Sequence, residues 1–468
     1  MNITVAQIKY KPANFEYNLE QIKKHFEKNS DLMIYPDVEA NSLKSMDFDS
    51  NYIKQKDEFF KKISTHLPTD SVTLIGQTLI KNNKIYNITN GYFDCCGKKI
   101  YVSDTYSDAI NCDIYILSKN SYYTKDSTKN LIENIVPNSD FIYVDAIMLA
   151  DENVYAGQSF AKNKNNKLVA QFNLLEEQIK TIDFSKSIKQ IKTIQEEEFF
   201  KILTFAIKEY CEITGFKQVL LGLSGGIDSA LVAVLATSAI GAENVNAIML
   251  PSKFSSEGSI TDSEKLVKNL GIKVETIPIK PLYETFMKET QNEDKLDLAQ
   301  ENLQSRLRGI ILMFASNRKN YLLLSTGNKS EVACGYGTLY GDMCGGLNPV
   351  ADLTKTNVYR LSNWINRDGE VIPQEIIKKA PSAELRPNQK DQDSLPEYEI
   401  LDKIIEDYIE NQNSYEELIE KYSKTTVDKT LKLIYRAQFK RHQACLGIRL
   451  CEKSFCNNVK LPILQGIY

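Results

Sequence analysis

Gly222-Leu223-Ser224-Gly225-Gly226-Ile227-Asp228-Ser229 stands between two apolar runs. Val219-Leu220-Leu221 before it reads as a buried parallel strand. Ala230-Leu231-Val232-Ala233-Val234-Leu235-Ala236 after it is apolar on nearly every side and reads as a buried helix. Strand, glycine-rich turn and helix aim backbone N–H groups and a helix N-terminus at one point, the arrangement that receives phosphate. Gly225 and Gly226 let the backbone come close to an anion, and Ser224 and Ser229 add hydroxyl donors. Asp228 supplies a carboxylate where a magnesium ion bridges to phosphate oxygens. No lysine follows the glycines, so this is not the G-x-x-x-x-G-K-[ST] loop, and it is not G-x-G-x-x-G either.

Beyond this stretch the second half alternates strand and helix. Val245–Leu250 reads as a strand, Asp262–Leu270 as a helix capped by Gly271, and Ile272–Ile279 as a strand. A longer helix from about Leu296 to Asn317 leads to the strand Tyr321–Leu324. This order predicts a doubly wound parallel sheet of Rossmann-like type, with its ligand outside the carboxyl ends of the strands. Those ends carry Gly222–Ser229, Leu250-Pro251-Ser252 and Ser325–Glu331, all rich in small or polar groups. Upstream, a charged segment, Asp183–Glu198, leads into a helix over Phe199–Ile213. Before it lie many short alternating strands, among them Asp31–Pro36, Val72–Gly76, Lys99–Val102 and Phe141–Val144, with a polar helix over Tyr17–Lys28. They predict an α/β chain whose first domain, 1–182, is an α-β-β-α sandwich and whose second domain spans 190–468.

Composition narrows the function classes. The 468 residues are enough for two cores, and a formal net charge of −4 disfavours a dedicated nucleic-acid binder. Nine scattered cysteines contain no C-x-x-C, and three histidines are too few for a typical zinc site. No basic segment followed by an apolar core opens the chain, and no run is of membrane-spanning length. We expect a cytoplasmic protein with reduced thiols and with neither nucleic acid nor membrane as partner.

Ser-Gly-Gly-Ile-Asp-Ser resembles the pyrophosphate loop of the ATP pyrophosphatases, which include NAD, GMP and asparagine synthetases and tRNA-thiolating enzymes. Later motifs choose among them: Glu301–Arg306, Ser325–Glu331, Gly335–Asp342, Asn348–Thr356, Pro381–Pro387 and Asp391–Pro396. In this order they resemble NAD synthetases of the long, glutamine-dependent kind. The resemblance implies that ATP adenylates the nicotinate carboxylate of deamido-NAD and that ammonia then displaces AMP. It implies that Gly222, Leu223, Ser224, Gly225, Gly226, Ile227, Asp228 and Ser229 hold the triphosphate, with Asp228 and Ser224 at the chemistry, and that Thr326 contacts ATP. Asp228 and Glu331 hold magnesium, or Glu331 touches deamido-NAD instead; Asn302 and Lys440 match positions that contact deamido-NAD. Asp342 is either a turn residue or a nicotinate contact, and Arg386–Pro396 resembles a segment that closes over ATP. Tyr398–Glu420, rich in acids, reads as a solvent-facing helical hairpin.

The first domain resembles the nitrilase-like glutaminase domain of such enzymes, through Asp31–Pro36 and through Asp151–Phe160, which fits Asp-Glu-x-x-x-x-Gly-x-Ser-Phe. That chemistry needs a cysteine nucleophile, a glutamate base and a lysine for the oxyanion. Asp37 stands at the glutamate position, Ser103 at the cysteine position, and the loop that carries the lysine is missing before Ser103. We therefore expect a degenerate glutaminase, with ammonia arriving free or from another protein. Cys95, Cys96 and Cys112 are candidates for a relocated nucleophile. Amidation of nicotinate mononucleotide, a non-catalytic partner-binding relative and tRNA thiolation are the rival readings. The family resemblance further implies at least a homodimer.

Overall fold

Alternation in the first half does what period-two sequences do: it sends one set of apolar residues to each face of a sheet. Ile3, Val5, Leu32, Ile34 and Leu74 from one sheet meet Ile100, Val102, Ile116, Ile142 and Val144 from another in a buried layer. The first sheet has six strands in the order Gln178–Ile182, Ile3–Gln7, Leu32–Tyr35, Val72–Ile75, Thr78–Lys81, Lys84–Asn87. The second runs Leu168–Gln171, Phe160–Lys162, Asp140–Val144, Ile114–Ser118, Lys98–Ser103, Gly91–Cys95. Each sheet is parallel at its centre and antiparallel at its flanks. The helices Phe15–Lys24 and Ser50–His66 cover the outer face of the first sheet, burying Ile22, Phe59 and Ile63 against Ile8, Met33 and Tyr35. The helix Ser127–Asn134 covers the second sheet through Ile132. This is the expected α-β-β-α sandwich.

The computed structural model describes residues 1–291 and 297–466 and resolves two compact units, Met1–Ile194 and Gln195–Tyr468. In the second unit Val219–Gly222 lies at the centre of a six-stranded, wholly parallel sheet. The order is Lys273–Thr276, Val245–Met249, Val219–Gly222, Leu322–Leu324, Leu347–Asn348, Leu446–Gly447. The chain therefore reverses its direction of travel beside Val219–Gly222, and a crevice opens there at the strands' carboxyl ends. The helix Ile227–Ile240 is buried along most of its length, as its unbroken apolar sequence requires. Among the described residues no helix is long and apolar enough to cross a membrane.

Several element boundaries differ from the sequence reading. The polar helix is Phe15–Lys24, ending four residues early, where His25 caps it. The helix expected from Asp262 begins at Glu257, because the Ser256 side chain accepts the Ser259 N–H and starts it a turn sooner. The helix ahead of the glycine loop spans Gln195–Thr214, and the long helix is seen over Leu298–Lys319; its expected start at Leu296 lies outside the described residues. Tyr398–Glu420 is not a solvent-facing hairpin. Leu401, Ile404, Ile405, Ile409 and Leu418 are buried with Val427, Leu431 and Ile434 in a helical cluster. Most of the acids that dominate its composition lie on the outer faces, but Asp402 is buried and Glu410 turns inward to Lys329.

Leu401→Ala removes a fully buried side chain from this cluster and is expected to lower stability by about 2–5 kcal/mol in urea denaturation. Glu399→Ala, on the exposed side of the same helix, is expected to cost less than about 1 kcal/mol in the same measurement.

Candidate active site

The glycine loop is braced by its own hydroxyls. Ser224 Oγ accepts the Gly226 N–H at 3.2 Å and lies 3.0 Å from Ser229 Oγ, which donates to the Gly226 carbonyl at 3.1 Å. Gly225 takes φ +78°, and a Cβ there would lie 2.5 Å from the Ser259 carbonyl oxygen. No larger residue fits without moving the backbone of a neighbouring helix. Among the described residues Ser224 Oγ has no base as partner; it meets a hydroxyl and an N–H. Its geometry suits holding and donating rather than nucleophilic attack.

Asp228, in the first turn of the following helix, meets a second loop. Asn328 Nδ2 donates to Asp228 Oδ1 at 2.9 Å, and Lys355 Nζ donates to Oδ2 at 2.5 Å. Lys355 Nζ also lies 3.6 Å from Glu331 Oε1. Burial alone would lower the lysine's pKa, but Asp228 and then Glu331 outweigh it and hold the ammonium charged well above the ordinary value. Glu331 behaves oppositely: burial, then the charge of Asp228, pushes it up to about 8, because one ammonium is shared between two carboxylates. Asn328 and Glu331 form a capping box at the N-terminus of Lys329–Cys334, so the helix start that places Glu331 also orients Asn328 toward Asp228.

Buried polar groups beneath hold this loop. Lys329, fully out of solvent, pairs through Nζ with the buried Asp352 at 3.0 Å and with Glu410 at 2.5 Å. Ser330 Oγ donates to Asp402 and accepts the Lys355 N–H at 2.9 Å, while Asp402 Oδ2 accepts the Thr356 N–H at 2.8 Å. One carboxylate thus fixes both loops that meet at Asp228.

Asp228, Glu331 and Lys355 line one cavity of about 750 Å³. Every residue of Gly222–Ser229 lines it, together with Thr326, Glu331, Asn302 and Lys440. Asn302 Oδ1 accepts from Thr338 Oγ1 at 2.8 Å, and Lys440 Nζ donates to the carbonyls of Gly335 and Gly337 at 2.8 and 2.7 Å. Asp342 also lines the cavity, but its Oδ1 is taken by Ser305 Oγ and the Thr338 N–H, as a turn residue's would be. Sequence reasoning assigned no role to Asn328, Lys355, Asp402 or Arg308. The first two lie inside quoted motifs, and a lysine flanked by threonines at a helix start is the signal that could have marked Lys355.

A family model described as NAD synthase matches residues 199–444. The chain belongs to the NAD synthase family. A glutamine-dependent NAD(+) synthetase of Synechocystis sp. is 40% identical over 343 residues, covering 71% of this chain and 62% of that one. Its counterpart in Thermotoga maritima is 44% identical over 276 residues, covering 58% and 48%. The chain thus spans less than two thirds of the length of such curated relatives. Among solved structures, a glutamine-dependent NAD+ synthetase from Acinetobacter baumannii in complex with ADP superposes with TM-score 0.74 at 27% identity, covering 99% and 98% of the two chains. A synthetase from Cytophaga hutchinsonii superposes with TM-score 0.85 at 16% identity over the same shares, a likeness of fold.

In the first unit, Ser103 and Asp37, the residues expected at glutaminase positions, have no nucleophile–base pair among their described partners. Ser103 is buried; its Oγ bonds Asn90 Oδ1 and the Thr105 carbonyl, both at 2.7 Å, with no carboxylate or histidine among its described partners. Asp37 accepts the Glu39 N–H at 3.1 Å and packs on Gly76, where a Cβ would come within 2.8 Å of its Cγ. Burial, then the charge of Glu39, pushes Asp37 up to about 6. Burial likewise pushes the Cys95 thiol up to about 12 and raises Cys112, the reverse of what an activated nucleophile needs.

Asp37 binds its proton more tightly folded than unfolded, so its own contribution to stability is fullest below about pH 4 and is lost as pH rises through about 6. Asp37→Asn removes that loss. It is expected to exceed the native chain by on the order of 1–2 kcal/mol near pH 7.5 and to match it near pH 4, in urea denaturation at the two pH values.

Proposed function

We propose that the protein is an NAD synthetase that activates the nicotinate carboxylate of deamido-NAD with ATP and amidates it with ammonia. The observation that carries this reading is the convergence of Asp228, Glu331 and Lys355 at the glycine loop, inside a cavity of the size that small-molecule sites occupy. A carboxylate oxygen of nicotinate attacks the α-phosphorus, and the bond to the bridging oxygen breaks as pyrophosphate leaves with the electron pair. Ammonia then adds to the acyl carbon, loses a proton, and AMP departs. Neither step requires a nucleophilic side chain; positioning and charge neutralisation do the work. The N–H and hydroxyl groups of Gly222–Ser229, with Thr326, hold the phosphates, while Asn302 and Lys440 meet deamido-NAD.

Asp228 and Glu331 suit magnesium. Both carboxylates already converge on one cation, the Lys355 ammonium, and among the described residues no group of three or more acidic, cysteine or histidine side chains offers a stronger metal site. Magnesium is commonly held by one or two carboxylates plus substrate phosphates, and when bound would neutralise the charge that the triphosphate brings. The two carboxylates and Lys355 remain the chain's own means of fixing that charge in place.

A homodimer fits the second unit's surface. Ile310, Phe314 and Tyr340 are 61%, 64% and 69% exposed, and Phe439 is exposed beside Lys440. Gly309, next to Ile310, packs under the Tyr340 carbonyl, and the Tyr340 hydroxyl donates to Gln443 at 2.7 Å, so these apolar groups form one patch beside the cavity. Contiguous apolar patches of this kind mark association surfaces. Nine free thiols suit a reducing, cytoplasmic setting.

Ammonia as the nitrogen source rests on Ser103, whose hydroxyl has no base, and on the missing lysine loop. The named glutamine dependence of the relatives is the rival. Purified protein with ATP, magnesium and deamido-NAD is expected to form NAD with ammonium and none above background with glutamine. Glutamine-dependent NAD and glutamate in equal amounts, abolished by Cys95→Ala, Cys96→Ala or Cys112→Ala, would overturn this. Nicotinate mononucleotide at equal concentration is expected to turn over more slowly than deamido-NAD. Asp228→Ala is expected to lower pyrophosphate release by at least about 10²–10³, since it removes the anchor of the phosphate charge.

A further inference from the structure

Five cations line the cavity: Arg308, Lys355, Lys379, Arg386 and Lys440. Lys355 is held by Asp228, Lys379 by Asp262 at 3.0 Å, and Arg386 by Asp393 at 3.1 Å, while Lys440 is spent on two carbonyls. Arg308 differs. Its one hydrogen bond runs from Nε to the Leu250 carbonyl at 3.0 Å, and its two Nη atoms have neither hydrogen-bond nor ion-pair partner among the described residues. Burial lowers its pKa to about 10, and the fields of Glu384 and Asp342 offset this only in part. A buried guanidinium edge with no carboxylate in contact among the described residues is a destabilising arrangement unless an anion completes it.

Its position says which anion. Residues 301, 305, 308 and 312 share one face of the helix Leu298–Lys319, and all four line the cavity. At one end of that face Leu312 packs on Gly222, where a Cβ would lie 3.0 Å from Leu312 Cδ1, at the start of the glycine loop. At the other end Ser305 Oγ donates to Asp342 at 2.7 Å, beside Asn302. Arg308 stands midway, between the loop that takes the phosphates and the end assigned to deamido-NAD.

We propose that Arg308 is a catalytic residue of the adenylation step, its free guanidinium edge gripping the α-phosphate of ATP while the nicotinate carboxylate approaches. This rests on the NAD synthetase reading. Two anions must meet for that step, and a planar fork of N–H donors can bind one of them at two oxygens while neutralising charge for both. Lys355, tied to Asp228 and Glu331, is not free to do so.

The test measures ATP, AMP and adenosine binding by calorimetry in the native chain, Arg308→Gln and Arg308→Lys, together with kcat and KM for pyrophosphate release. Arg308→Gln is expected to weaken ATP and AMP by roughly tenfold to a hundredfold, to leave adenosine unchanged, and to lower kcat by at least the same factor. Arg308→Lys is expected to regain much of the affinity but less of kcat, because an ammonium lacks the fork. Unchanged adenosine binding also reports an intact fold in each variant. Equal weakening of AMP and adenosine would overturn the proposal and make Arg308 a support of the nucleoside wall through Leu250. Loss confined to ATP would overturn it in favour of the outer phosphates, and unchanged binding and kinetics would remove the role altogether. If Arg308→Gln does not fold, Arg308→Lys binding AMP and releasing pyrophosphate as the native chain does would overturn it too. Failure of the native chain to make NAD at all would instead refute the parent reading, leaving the comparison of AMP with adenosine to be judged separately.

Discussion

One buried ammonium organises the second unit. Lys355 Nζ lies between Asp228, at the start of a helix that follows the central strand, and Glu331, at the start of a helix that follows the next strand over. Without a cation there, two desolvated carboxylates would repel each other and the loops that carry them would separate. With it, the glycine loop and the Thr326–Glu331 loop face one another across a gap that neither could hold alone. The arrangement is costly to break, because removing Asp228 or Glu331 leaves the buried Lys355 ammonium with one partner fewer.

How much of this is legible in the sequence follows from the range of each interaction. The glycine loop, its flanking strand and helix, and the parallel sheet are local or periodic features, so Val219–Ile240 reads correctly from its own residues. The sandwich of the first unit reads from strict alternation in the same way. Lys355 does not, because its partners lie 127 and 24 positions away and nothing local distinguishes it from a solvated lysine. Asp402 misled for the opposite reason. It belongs to a segment whose average composition is acidic, and averages hide the few residues, Asp402 and Glu410, that point inward. The same averaging concealed Leu401, Ile404 and Ile405, whose helical spacing was the stronger signal.

The first unit separates two properties that usually travel together. Its core is filled by both sheets, while Ser103 and Asp37, which the proposed reading sets at the glutaminase positions, are held by local hydrogen bonds. Packing depends on many residues, each contributing a little, so it persists through drift. A reacting constellation depends on a few residues at fixed distance, so it is far less tolerant of a single change.

Asp402 joins the cavity to the helical cluster behind it, since the carboxylate that receives Ser330 and Thr356 rides on the same helix as Leu401 and Ile404. The loops at the cavity floor therefore cannot open by themselves; they must either break that buried carboxylate's bonds or melt the helix that carries it. The hydrogen bonds of Asp402 tie Ser330 and Thr356 to the helix Tyr398–Ile405, so local opening of one segment is coupled to the other. Rigidity at the floor is thus inherited from a cluster that touches no ligand, and any slack in that cluster is felt as imprecision where the phosphates sit.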